Sequence, residues 1–203
     1  MFNGTRQVII HAQKYISGKT LDFGAGERAK YREIIKQKSQ EYVAFDMKPG
    51  KNIDVVGDAL NTPFDDGAFD TVISTQVLEH VEKPWLMVKE IRRILSENGI
   101  CILTAPFMVP YHADPHDYFR YTKEGLQSLF INEGFEIIEC DYYDKIFATL
   151  TEMFRFVFFN HYKKKPGVFA ERFMEYSAKF AQFLDKFVKT EIVYTNVYIV
   201  AKK

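Results

Sequence analysis

The sequence lacks an excess of charge of either sign. Lysine plus arginine and aspartate plus glutamate each total 27, so the net charge is zero. Without a global basic field to attract polyanions, we expect no nucleic-acid partner. Cysteine is also scarce, and neither Cys101 nor Cys140 has a CxxC or CxxH neighbour. We therefore expect two buried, reduced thiols rather than a disulfide or a cysteine-based metal site.

Long apolar runs are missing as well. No stretch of about 18 apolar residues occurs, so the sequence predicts no membrane-spanning helix. The opening MFNGTRQVII does not resemble a signal peptide, and we expect a cytoplasmic protein. What is present is an ordinary globular composition, 47% hydrophobic and 27% charged, in a chain of 203 residues that suits a single domain.

Strand and helix patterns alternate from the start of the chain to about residue 135, which predicts a doubly wound α/β sheet. Ligands in such folds lie at the carboxyl ends of the strands. The apolar pattern predicts strands at 19–23, 42–45, 53–56, 69–74, 100–105, 136–142 and 195–203, and helices at 5–17, 27–38, 84–96 and 122–133.

The stretch LDFGAG, residues 21–26, is typical of a loop that holds a nucleotide-like cofactor. Gly24-x-Gly26-x-x-Ala29 fits the relaxed dinucleotide pattern, and it fits equally the loop that holds S-adenosylmethionine in methyltransferases. Asp46 ends the second expected strand about 20 residues later, where an acid binds ribose hydroxyls. At this point both cofactors remain open.

Three features favour S-adenosylmethionine over a nicotinamide dinucleotide. Glu27 would put a carboxylate in the first turn of the expected helix, where a pyrophosphate would have to bind. Asp58 adds an acid after the third strand, which can accept the exocyclic amine of adenine. The tail beyond residue 135 is too short for the second domain of most dehydrogenases, so a nicotinamide oxidoreductase remains a minor alternative.

The run at 55–107 resembles the class I S-adenosylmethionine-dependent methyltransferases, and most closely their type 11 group. The resemblance extends over about 18–140. One departure is Arg28, which stands where the family often has a third glycine. The motifs that carry the resemblance are Asp58-Ala59, Pro63-Phe64, Phe69-Asp70, Leu78-Glu79-His80, and Arg93-Ile94-Leu95 leading to Gly99.

The resemblance implies a Rossmann-like sheet, mostly parallel with an antiparallel last strand, and S-adenosylmethionine as the cofactor. It assigns Asp46 to the ribose and Met47 to the adenine face. The alternative for these loops is a plain tight turn or a turn acid without ligand, and we expect His80 to order a helix start. The expected cofactor residues are Asp22, Phe23, Gly24, Gly26, Asp46, Met47, Asp58, Ala59, Leu60, Ser74, Thr75 and Gln76.

The segment 106–122, PFMVPYHADPHDYFRYT, should overhang the site because it follows the fifth strand. A hydroxyl acceptor must lose a proton, so His112, His116 and Asp117 are the catalytic candidates. The alternative is that Asp117 forms a loop-fixing ion pair with Arg120 while one histidine caps a turn. We expect no metal, although His112, Asp114, His116 and Asp117 together offer a weak ligand set.

The pattern in 106–122 is similar to one found in bacterial methyltransferases encoded with glycan-assembly enzymes. It therefore suggests O-methylation of a sugar or another small hydroxylated acceptor. N-methylation of an amino sugar is the nearest alternative. A non-catalytic, cofactor-binding scaffold with the same fold is the alternative from a different class.

Residues 146–188 form an aromatic-rich, helical insertion between the last two strands, within a single domain spanning 1–203. Aromatic residues at helical spacing usually form core, so we expect a cover over the site or a homodimer contact. The segment 154–165 combines phenylalanines with Lys163–Lys165, which also suggests peripheral contact with an anionic membrane. A lipid-linked glycan acceptor would fit such contact.

Overall fold

A computed structural model describes residues 4–159, 167–188 and 193–203. Within these residues the strands form one sheet in the order β3-β2-β1-β4-β5-β7-β6. Every neighbouring pair is parallel except the two that involve β7. The strands are β1 (Lys19–Phe23), β2 (Glu41–Asp46), β3 (Val55–Val56), β4 (Phe69–Thr75), β5 (Leu95–Pro106), β6 (Glu136–Tyr143) and β7 (Asn196–Lys202).

The helices cover both faces of this sheet, and two buried clusters fill the space beneath them. None of the helices in the described ranges is both long and apolar enough to cross a membrane. The helices are α1 (Thr5–Ala12), α2 (Arg32–Lys36), α3 (Pro84–Ile94), α4 (Lys123–Asn132), α5 (Ile146–Phe159) and α6 (Val168–Leu184), with 3-10 turns at Gln13–Tyr15 and Leu78–His80.

The central strands are buried because they carry apolar side chains on both faces. The core positions of β1, β4 and β5 are almost fully shielded, as parallel strands covered by helices require. The helix α3 adds Met87, Val88 and Ile91 on one side, and Pro84 begins it, where a missing N–H costs nothing. The predicted fold class, including the antiparallel last strand, is confirmed.

The prediction of a helix at 27–38 is wrong for the first half of that range. The chain makes successive turns after Gly26, and α2 begins only at Arg32. Ala29 has a φ of 41°, which interrupts a right-handed helix at that point. Local backbone bonds from Ala29 N to Gly26 O and from Arg32 N to Ala29 O hold these turns. The expected strand 53–56 is likewise shorter, and it keeps only Val55–Val56.

The insertion between β6 and β7 is helical, as predicted. Helices α5 and α6 pack against each other. Asp185 follows the end of α6 and accepts the N–H groups of Phe147 and Ala148, at 2.9 and 3.1 Å. The carboxylate thus satisfies backbone donors in the first turn of α5, where a negative charge is favourable. The Lys163–Lys165 part of the predicted membrane segment lies outside the described residues.

Candidate functional site

The glycine loop lies at the carboxyl end of β1, against the end of β2. The N–H groups of Gly24 and Ala25 both donate to Phe45 O, at 2.8 and 3.0 Å. Asp46 accepts the N–H of Gly26 and the N–H of Lys48, both at 2.9 Å. A carboxylate has about four lone-pair positions, so Asp46 keeps acceptor capacity for a ribose diol. The loop, the acid and the sheet edge therefore form one cradle.

The two glycines of this cradle are required for different reasons. Both have a positive φ, 77° at Gly24 and 66° at Gly26. A Cβ at Gly24 would lie 2.4 Å from a methyl of Val77, so the fold itself excludes a side chain there. A Cβ at Gly26 would meet nothing within 4 Å. Gly26 therefore opens onto free space, which is where a ligand can approach the backbone.

Three of the expected cofactor residues have buried side chains. Phe23 packs against Phe45 in the core, so any contact that it makes with a cofactor uses its backbone. Ser74 is buried, and its hydroxyl has no hydrogen-bond partner among the described residues. Asp22 is buried under the loop, where it accepts the hydroxyl of Tyr42 at 2.6 Å. Burial raises the pKa of Asp22 to about 6, although the Tyr42 hydrogen bond opposes this shift.

The remaining expected residues are accessible at the sheet edge. Met47 is 60% exposed although it is apolar, which suits a partner lying on it. Asp58 is exposed and accepts the N–H of Leu60 at 2.8 Å, as a turn acid does. Gln76 has a φ of 56°, a conformation that costs free energy in a non-glycine residue. Ala59, Leu60 and Thr75 are half-buried beside them.

A cavity of about 950 Å³ opens next to this cradle, under α5 and α6. Gln76 connects the cradle and the cavity, because it directly follows β4 at the cradle and also lines the cavity. Among the residues that the structure describes, the lining side chains include three carboxylates, Asp114, Asp144 and Glu152, and no lysine or arginine. Burial raises the pKa of Asp144 to about 6. Other polar lining residues are Thr5, His80, His112, Thr151, Gln182, Thr195 and Asn196.

The segment 106–122 folds back over the Leu78–His80 turn. Tyr118 N donates to Glu79 O at 2.8 Å, and the Tyr121 hydroxyl donates to Leu78 O at 3.1 Å. Asp117 and Arg120 form a two-pronged ion pair, the alternative that the sequence left open. Although burial opposes ionisation, this guanidinium lowers the pKa of Asp117 to about 2, so the carboxylate is a poor proton acceptor.

Of the two candidate histidines, His112 lines the cavity and His116 does not. His116 is exposed, and its ring lies beside Tyr118. The ring of His112 lies edge-on to the ring of His80, with centroids 5.2 Å apart. The pKa of His112 is raised, chiefly by the neighbouring Glu79. His80 ends the 3-10 turn that precedes α3, and its Nδ1 donates to His116 O at 2.5 Å.

Glu79 is a residue that the sequence reasoning missed. Its side chain is fully buried, and neither carboxylate oxygen has a hydrogen-bond partner among the described residues. The ligand atoms of Glu79, His80 and His112 all lie within 4.8 Å of one another. The weak ligand set expected at 112–117 is not brought together, since Asp117 pairs with Arg120 and Asp114 with Lys48. The sequence analysis named Glu79 only as part of the Leu78-Glu79-His80 motif and gave it no role in the site.

Comparison with known proteins extends this description. The profile of the family described as "Methyltransferase domain" matches residues 21–103, which contain the whole cradle. This part of the chain is a match to the class I S-adenosylmethionine-dependent methyltransferases. A segment of 67 residues is 38% identical to norajmaline N-methyltransferase of Rauvolfia serpentina, and it covers 33% of this chain and 20% of that enzyme. This chain spans less than half the length of the curated relatives that it matches.

Solved structures share the fold of this methyltransferase domain over nearly the whole chain. An S-adenosylmethionine-dependent methyltransferase from Archaeoglobus fulgidus superposes with a TM-score of 0.63 at 18% identity, covering 100% of this chain and 96% of its own. The [4+2]-cyclase SpnF superposes with a TM-score of 0.65 at 18% identity, covering 98% and 79%. Likeness at this identity shows the fold alone.

The cradle of this methyltransferase domain fits S-adenosylmethionine, the cofactor that the family match supports. Gly26 leaves room for the ligand, Asp46 can hold its ribose, and Met47 can lie on its adenine. A dinucleotide fits less well, because no helix begins close enough to Gly26 to receive a pyrophosphate. The sequence suggested another reason, that Glu27 would repel a pyrophosphate in the first turn of a helix beginning at residue 27. No helix begins there.

Proposed function

We propose that this protein methylates a small polyhydroxylated acceptor, such as a sugar, with S-adenosylmethionine as the methyl donor. The observation that carries the proposal is the polar cavity that meets the cofactor cradle at Gln76. Carboxylate, amide and hydroxyl side chains are suited to binding sugar hydroxyls, and Tyr111 and Phe156 offer aromatic faces. In this proposal the chain acts as one unit, with α5 and α6 as the cover of this cavity.

Methyl transfer is an in-line displacement. A lone pair of the acceptor oxygen forms the new C–O bond while the C–S bond of the cofactor breaks, and S-adenosylhomocysteine leaves as a neutral thioether. The cofactor supplies the reactive methyl group, and the protein contributes alignment and removal of the hydroxyl proton. His112 is the expected catalytic histidine that lines the cavity, and we place activation of the hydroxyl at this wall.

An amino sugar is the second candidate acceptor. Three carboxylates line the cavity, of which Asp114 is paired with Lys48, and no lysine or arginine lines it in the described part of the chain. A cationic acceptor would therefore be attracted to it. The same charge pattern argues against phosphorylated acceptors. The N-methyltransferase relative from Rauvolfia serpentina acts on nitrogen, which is consistent with this alternative.

Calorimetric titration with S-adenosylhomocysteine, with NADH in parallel, tests the cofactor half of the proposal. We expect micromolar binding of the first and none of the second. Release of S-adenosylhomocysteine during turnover should then be measured with neutral, cationic and phosphorylated sugars. We expect turnover only with the first two groups. Tight binding without turnover of any acceptor would favour the non-catalytic scaffold.

We also propose that α6 contacts an anionic lipid surface, where a lipid-linked acceptor would be found. Its outward side carries exposed aromatics at alternating spacings of four and three residues, and Phe169 is 93% exposed. Exposed basic residues recur every seven positions beside this stripe, at Arg172, Lys179 and Lys186, and Lys179 is paired with Glu175. A second copy would bring like charges together, whereas anionic lipid would neutralise them. The aromatic stripe consists of Phe169, Phe173, Tyr176, Phe180, Phe183 and Phe187.

Sedimentation with vesicles tests this surface. We expect binding to phosphatidylglycerol vesicles that weakens with salt, and little binding to phosphatidylcholine vesicles. The triple variant Phe173→Ser, Phe180→Ser, Phe187→Ser should bind at least about tenfold more weakly. Trp85→Ser, an exposed aromatic on α3, serves as the control. A salt-insensitive dimer without vesicle binding would show that a second copy covers the stripe.

A further inference from the structure

We propose that Glu79, His80 and His112 form a binding site for a divalent transition-metal ion of the Zn²⁺ type. The first observation is the buried carboxylate of Glu79. Its side chain is fully enclosed, and neither oxygen has a hydrogen-bond partner among the described residues. A buried carboxylate without partners costs several kcal/mol unless a cation or donor compensates it. The imidazoles of His80 and His112 lie closest to it, and the Arg120 guanidinium also interacts with its charge.

The second observation is the orientation of those imidazoles. His80 Nδ1 is 2.5 Å from His116 O, and His112 Nδ1 is 3.0 Å from Pro110 O. A carbonyl oxygen only accepts, so each Nδ1 carries a proton, and Nε2 is the atom of each ring that can serve as a metal ligand. Metal-binding histidines usually donate their other ring N–H to a backbone carbonyl or carboxylate in this way. Both rings are therefore prepared as Nε2 ligands.

The third observation is the convergence of the ligand atoms. His112 Nε2 lies 3.5 Å from Glu79 Oε1, and His80 Nε2 lies 3.8 Å from it. These separations are too long for good hydrogen bonds. They are close to the spacing of about 3.4 Å between ligands of a tetrahedral zinc ion, given bond lengths of about 2.0–2.1 Å.

The donor set indicates which ions would bind. Two imidazoles and one carboxylate suit Zn²⁺, Fe²⁺ or Mn²⁺, whereas Mg²⁺ prefers oxygen ligands and keeps its waters. Three protein ligands leave at least one open position. His80 and His112 line the cavity, so that position faces the acceptor site. A cation there would lower the pKa of an acceptor hydroxyl, a consequence that rests on the proposed function.

Titration of the purified protein with Zn²⁺ and with Co²⁺, whose absorption reports its ligands, tests the site without any turnover. We expect one equivalent to bind, with Mg²⁺ at least about a hundredfold weaker. Glu79→Gln and His112→Ala should each weaken Zn²⁺ binding by at least about tenfold. His116→Ala is the matched control, a histidine of the same loop whose ring lies outside the cluster, and it should bind normally.

Binding of S-adenosylhomocysteine by each variant shows that the domain is folded and separates the two proposals. Variants that keep this binding but lose Zn²⁺ would support the metal site. Absence of stoichiometric Zn²⁺ binding to a wild-type protein that binds S-adenosylhomocysteine would overturn it and leave His112 as a metal-free base beside Glu79. Equal Zn²⁺ binding by the wild type and Glu79→Gln would also overturn it.

Discussion

Replacing Gly26 with valine should weaken S-adenosylhomocysteine binding by at least about a hundredfold, or about 2.7 kcal/mol. The backbone at Gly26 opens onto free space beside Asp46, and a side chain there would occupy the volume that the cofactor needs. The positive φ of this residue adds strain of about 1–2 kcal/mol to the folded state. Calorimetry for affinity and urea unfolding for stability would separate the two effects.

Two other glycines provide controls for this prediction. Gly67 has a φ of 69°, and a Cβ there would lie 3.7 Å from its nearest neighbour, so Gly67→Val imposes similar strain far from the cradle. Gly67→Val should lose about as much stability as Gly26→Val, and its affinity for S-adenosylhomocysteine should be unchanged. Gly24→Ala should act mainly on the stability of the fold, because its Cβ would lie 2.4 Å from a methyl of Val77. We expect it to destabilise the fold by more than about 3 kcal/mol. Normal affinity in Gly26→Val would disprove the placement of the cofactor.

Sequence patterns predicted the sheet well, because buried parallel strands require continuous apolar runs. The runs at β1, β4 and β5 mark the core, and the alternation of strand and helix determines the class. The helix at 27–38 was mispredicted because helical spacing continues through residues whose backbone turns instead. Ala29, with its φ of 41°, carries no sequence signal for that conformation.

The proposed acceptor site was less predictable than the cradle. The expected cofactor residues lie at strand ends, whose positions follow from the pattern of strands. The cavity instead depends on how the segment 106–122 folds over the Leu78–His80 turn, through bonds such as Tyr118 N to Glu79 O. That contact brings His112 to Glu79, residues far apart in the chain, and no local pattern encodes it. The sequence therefore offered His112 as a candidate but did not predict its contact with Glu79.

The buried acid of the glycine loop leads to the second prediction, that Asp22→Asn should stabilise the protein in a pH-dependent way. Burial raises the pKa of Asp22 from 3.8 to about 6, with Asp46 adding to the rise and Arg32 and the Tyr42 hydrogen bond opposing it. Between these values the folded state keeps a proton that the unfolded chain has released. The contribution of Asp22 to stability is therefore fully present below pH 4 and is lost as the pH rises to about 6.

Asparagine cannot ionise, yet its Oδ1 can still accept the Tyr42 hydroxyl. The gain in the free energy of unfolding should thus be about 2 kcal/mol larger at pH 7.5 than at pH 4.5, as measured by urea unfolding. Asp144→Asn is the matched control, because burial also raises the pKa of Asp144 to about 6. It should show a similar pH-dependent gain. A gain independent of pH would contradict the assignment of a destabilising ionised carboxylate.

The two variants should differ in cofactor affinity. The ionised carboxylate of Asp22 destabilises the fold at neutral pH. Its presence at the glycine loop is explained if its charge attracts the ammonium group of S-adenosylmethionine. Asp22→Asn should then bind S-adenosylhomocysteine about tenfold more weakly, whereas Asp144→Asn, which lies on the acceptor side, should bind it normally. Equal affinity in both variants would mean that Asp22 serves only to hold Tyr42, and that the ammonium group is bound through the backbone of the loop.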